Sequence, residues 1–171
     1  GHIGNLARAL RTNNSERAAF EAAWMAHAIT DGLTPAHHFP LEQAMAELRG
    51  GEGLETRTSI LKKNLMKGEN GIELIKNNWK FWGAKGMMTT HVAFEAGVAS
   101  VVSYPRFKDA IPSSDEILQV KNHGYREYYL DQVHAVASMK MYDNFIKSGW
   151  TTDLAWQTNH ELMPIIIKSV M

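Results

Sequence analysis

Apolar residues return every three or four positions along almost the whole chain, the period of helices that bury one face against their neighbours. Ile3, Leu6, Ala7 and Leu10 make a first short helix, which Asn13-Asn14 interrupts. Ser15 reads as the N-cap of a second helix. Its body from Glu16 to His27 is rich in strong helix formers, with acid near the start where the helix dipole favours it, and it runs on to Asp31. Gly32 lets the chain leave that helix, and Pro35 prevents its immediate resumption. Residues 41–48 form a helix stopped at Arg49-Gly50-Gly51, and the polar run 52–59 reads as a loop. Two further amphipathic pieces, 61–66 and 72–81, are separated by a turn at 67–71. A helix from Met87 runs through small residues towards Ser103, and Pro105 and Pro112 bracket a loop. Ser113 and Glu116 have the spacing of a capping box, opening a short helix that ends at His123-Gly124. Residues 125–146 read as one long helix, and Thr152-Asp153 as the cap of a last helix to Val170, kinked at Pro164. No strand-like alternation, internal repeat, heptad run or low-complexity tract competes with this all-α, multi-helix bundle.

With 171 residues, 44% of them hydrophobic, the chain suits one domain spanning 1–171 with a real core. Lys+Arg and Asp+Glu balance at 18 each, which removes a bulk electrostatic drive towards nucleic acid or anionic membranes and leaves room for a local patch. The longest apolar runs, such as 98–102, fall far short of a transmembrane segment. There is no cysteine, so any metal must be held by nitrogen and oxygen donors. The start, Gly1-His2-Ile3, has no initiator Met, basic n-region or apolar h-region, and is expected to be a tag remnant or the edge of a processed form or fragment.

Chemistry concentrates in two places. His27 and Asp31 are one helical turn apart on one face, and His37, just past Pro35, can fold back towards them. His91 and Glu95 repeat the four-residue spacing on another helix, and two such pairs can meet in a bundle core to build a metal site. His38 reads as an outward or supporting neighbour of His37; His123, His134 and His160 read as core or surface histidines, with His134, three after Asp131, the first reserve. Trp24, Met25, Trp79, Trp82, Met87 and Met88 read as core, and Lys62-Lys63 as a solvated face.

The run His27-x-x-x-Asp31-x-x-x-Pro35-x-His37 resembles the central metal motif of the zinc-dependent phospholipase C and single-strand nuclease superfamily. His91-x-x-x-Glu95 resembles its next motif, in the His/Glu form of the phospholipases, where the nucleases usually carry Asp. The resemblance implies an all-helical fold in which zinc ions hydrolyse phosphate esters by an activated water. It places His27 and Asp31 on one zinc, with Asp31 reaching a further ion, and His37, His91 and Glu95 on another. The implied function is a phospholipase C-like phosphodiesterase acting on a phosphodiester, phospholipid ahead of nucleic acid; the alternatives are a non-catalytic helical zinc-binding module or a nuclease-like enzyme. Two departures from the pattern are plain. The family's upstream ligands, an N-terminal Trp, a His, an Asp and a further His, have little room, because only 26 residues precede His27 and they hold one His and no Asp. The 53 residues between His37 and His91 exceed the family's usual spacing, so an inserted helical segment around 41–81 is expected, shaping access to the site. No residue is singled out as a general acid or base.

Overall fold

The computed structural model describes residues 1–171 apart from Tyr104, Pro105, Arg106, Lys108 and Asp109 and the side chain of Leu54; the first part of the loop expected between Pro105 and Pro112 lies outside the described residues. Among those described there is no strand. The helices are α1 (His2–Arg11), α2 (Ser15–Gly32), α3 (Leu41–Leu48), α4 (Ile60–Asn64), α5 (Gly71–Trp82), α6 (Met87–Val102), α7 (Ser114–His123), α8 (Tyr125–Ser138), α9 (Met141–Ser148), α10 (Thr152–Gln157) and α11 (Met163–Val170). The described residues also form short 3-10 turns at Pro35–His38 and Leu54–Thr56 and a π turn at Thr158–Leu162.

Local chemistry accounts for most boundaries. The capping box forms as its spacing predicts: Glu116 N–H donates to Ser113 Oγ at 3.2 Å, and Ser113 N–H to Glu116 Oε2 at 2.7 Å. The cap of α2 is Asn14 in place of the expected Ser15, accepting from Arg17 N–H at 3.0 Å. Asn13, left-handed at φ 52°, turns the chain so that its neighbour holds the cap position. Likewise Thr151, one residue ahead of the expected pair, caps α10. The piece expected at 61–66 stops at Asn64, because the Met66 backbone is taken by the Asn78 side chain in both directions, at 3.0 and 2.9 Å.

The expected helix 125–146 is two helices. Lys140 is left-handed at φ 51° and separates α8 from α9. A straight helix would carry Lys140 and Asp143 onto the face that Val136 buries. The break instead delivers Met141 and Tyr142, which are buried. At Pro164 the irregularity takes the form of the π turn, which ends two residues earlier; a proline has no N–H to give and its ring crowds the carbonyl four residues back, so a widened turn relieves both faults.

The main core gathers Leu33, Phe94, Val136, Met141, Leu154 and Leu162 from six different stretches of chain. A smaller core joins Met45 of α3, Met66 and Phe81 of α5, with Met87 and Met88 of α6 packed against it. Arg57 is buried there and donates to Glu42 Oε2 at 2.8 Å, while Arg49 donates to the Leu65 carbonyl at 3.2 Å. Residues 41–82 thus form a satellite around their own small core, joined to the start of α6.

Candidate metal centre

The 3-10 turn after α2 is held from both sides. Leu33, Pro35 and Ala36 are buried, and His38 Nε2–H donates to the Gly32 carbonyl at 2.9 Å. The Tyr129 hydroxyl packs on Gly32: a Cβ there would lie 1.8 Å from it and would push the phenol aside. With its backbone fixed, the turn sends His38 back to Gly32 and His37 towards α6.

On α6, buried Phe94 anchors the helix in the main core and places His91 and Glu95 on the side facing that turn. Glu95 Oε1 lies 3.1 Å from Nε2 of both His37 and His91. The two imidazoles stack at 5.2 Å between centroids, 14° from parallel. One donor atom from each of the three residues lies within 4.8 Å of the others. Donors bonded to one tetrahedral zinc at 2.0–2.1 Å stand about 3.3 Å apart, so these nitrogen–oxygen separations fit the edges of such a polyhedron. His91 side chain is 10% exposed against 32% for His37 and 42% for Glu95, so the trio is anchored at one end and open at the other. The buried His91 Nδ1 has no hydrogen-bond partner.

His27 and Asp31 stand one step away. His27 Nε2 is 3.3 Å from Asp31 Oδ2, and Asp31 Oδ1 is 3.9 Å from His37 Nδ1. The five residues singled out from the sequence therefore form a continuous line, His27, Asp31, His37, Glu95, His91, of which the last three make the close group. Among the described residues no further His, Asp or Glu joins that group. His123 and His160 each donate Nδ1–H to the carbonyl four residues back, at 3.0 and 2.8 Å. His134 is exposed on α8. His2 is paired with buried Glu21 at 2.5 Å and stacks on Trp24, whose edge meets His27. The hydrogen bond from His2, with help from Arg17, holds the Glu21 carboxyl below its ordinary value against the opposing effect of burial.

Two tyrosines beside the site carry no signal in the sequence. Tyr142 meets His91 edge-on at 6.4 Å; burial and then the Glu95 charge push its phenol up. Burial and the Asp31 charge do the same to Tyr129. Tyr142 reaches the site only because the chain breaks at Lys140. Comparison with protein-family models, curated proteins and solved structures gives no match to this chain.

Proposed function

We propose that this chain is a zinc-dependent phosphoric ester hydrolase, a phospholipase C-like phosphodiesterase whose zinc is held by His37, His91 and Glu95. The observation that carries the reading is the meeting of these three side chains, from a turn and a distant helix, at separations that suit one ion. Three protein donors are the number found in catalytic zinc sites, where one position stays open, whereas structural sites are closed by four. Zinc there supplies Lewis acidity towards a phosphoryl oxygen and acidifies water.

The protein's own groups supply the rest. Two neutral imidazoles and one carboxylate leave the ion a net positive charge to set against a phosphodiester. Asp31 Oδ1, 3.9 Å from His37 Nδ1, adds a carboxylate beside the three donors. Tyr142, its phenol pushed up, stays protonated at neutral pH and so can donate a hydrogen bond beside the site. The His/Glu form of the second motif, His91 and Glu95, supports a phospholipid over a nucleic acid. The small core of residues 41–82 supports their reading as a segment inserted between the two ligand motifs.

One observation favours a second reading, a non-catalytic helical zinc-binding module: among the described residues no third donor lies close to both His27 and Asp31. Calorimetric titration of metal-stripped protein with zinc, paired with hydrolysis of a chromogenic phosphodiester and of phosphatidylcholine, separates the two. The hydrolase binds zinc and turns over both substrates, and Glu95→Gln loses both properties. Zinc binding without turnover supports the module; absence of zinc binding refutes both.

A further inference from the structure

Helix α5 has two apolar sides. Phe81 is buried in the small core, with Asn78 beside it bonded to the Met66 backbone. On the opposite side Ile72, Ile75 and Trp79, spaced three and four apart and therefore aligned along one stripe, are 82, 70 and 70% exposed. Trp82, next to that stripe and 45% exposed, donates its indole N–H to the Asn64 carbonyl at 2.7 Å. The end of α4 therefore abuts the end of α5, and α4 adds Ile60 and Leu61 at 82 and 71% exposed. Scattered exposed apolar side chains are ordinary; a row of large ones on the outward face of a helix already anchored from behind marks an interaction surface.

Charge indicates what that surface meets. Residues 60–85 hold six lysines and two glutamates in a chain whose charges cancel overall. Lys76 and Lys80 flank the apolar stripe of α5, and Lys62 and Lys63 follow the exposed pair on α4. Lysine is depleted from protein–protein interfaces, whereas tryptophan and lysine together characterise helices that lie in the headgroup region of a bilayer. No helix among the described residues is long and apolar enough to cross a membrane, so the contact is one of lying on the surface.

We propose that the outward face of α4 and α5 docks on an anionic lipid surface, with Ile72, Ile75 and Trp79 entering the headgroup layer and the flanking lysines meeting lipid phosphates and carboxylates. The docking uses none of the metal-site residues and stands apart from the hydrolase reading.

The test is sedimentation of the whole chain with vesicles of phosphatidylcholine alone and of phosphatidylcholine mixed with phosphatidylserine. Uptake by the mixed vesicles is expected, weakened by salt and accompanied by a blue shift of tryptophan emission. Ile75→Ser with Trp79→Ser, and separately Lys76→Glu with Lys80→Glu, should each lower the partition about tenfold or more. Because these positions are exposed, circular dichroism and thermal unfolding should match the parent. A parent chain that stays in the supernatant with mixed vesicles overturns the proposal, as does uptake that both variants retain. A parent dimer that Trp79→Ser makes monomeric, without vesicle uptake, would make the face a protein interface and would equally overturn it.

Discussion

His37 and His38 are adjacent and chemically identical, yet the turn gives them opposite tasks. His38 spends its Nε2–H on the Gly32 carbonyl, while His37 presents its Nε2 to Glu95. His37→Ala should therefore abolish most zinc binding in a calorimetric titration. His38→Ala should keep it and lose about 1 kcal/mol of stability, one ordinary hydrogen bond; equal loss of zinc in both variants would contradict the assignment. The proline-spaced motif already distinguished the two, because Pro35 sets the register of a turn that is local in sequence. The resemblance grouped His37 with His91 and Glu95; the spacing alone could not, since their meeting depends on Phe94 and Leu33 packing in a core assembled from distant segments. Away from the site, Glu116 is a residue whose protonation the fold opposes. Its hydrogen bond from Lys168, and then that from Ser113, lower its carboxyl from the ordinary 4.5 to about 2. A depressed value means the folded state gains from this group above pH 4.5 and loses that gain as pH falls towards 2. Glu116→Gln should thus lower the urea midpoint at pH 7 and match the parent near pH 2, which denaturation at the two pH values would show.

At the scale of elements, helix period was legible because each helix carries its own apolar stripe, and the capping box at Ser113 because both partners lie within four residues. The break between α8 and α9 was not. Lysine has no preference for the left-handed region, so Lys140 gives no local sign of a turn; the demand comes from Met141 and Tyr142 needing to reach the core. This makes Lys140→Gly an unusual substitution, expected to be neutral or stabilising by up to about 1 kcal/mol, because glycine adopts φ 51° without steric cost. Ala135→Gly, at an exposed position inside α8, should instead cost about 1 kcal/mol. Thermal or urea unfolding of the two variants should move in opposite directions or differ by about that amount. If both lose equally, the left-handed turn is not what joins the two helices.

For the molecule as a whole, two cores of unequal size share α6, so damage to each should read out differently. Phe94→Ala, in the main core and fully buried, should cost about 3–5 kcal/mol and displace Glu95 and His91 together, lowering zinc affinity as well as stability. The position of His37 also has a topological meaning. It stands 58 residues from Glu95, and the chain between them contains the whole satellite of α3, α4 and α5. An ion gripping both residues would close that stretch into a ring in the folded state alone, stabilising it by mass action, an effect worth about 4 kcal/mol when free zinc is about a thousandfold above its dissociation constant. For a chain of this length that corresponds to a melting temperature lower by roughly 10 °C on chelation, whether or not any ester is hydrolysed. Zinc would then be a clasp as well as a reagent, and a scan with and without chelator would show whether the ring is closed.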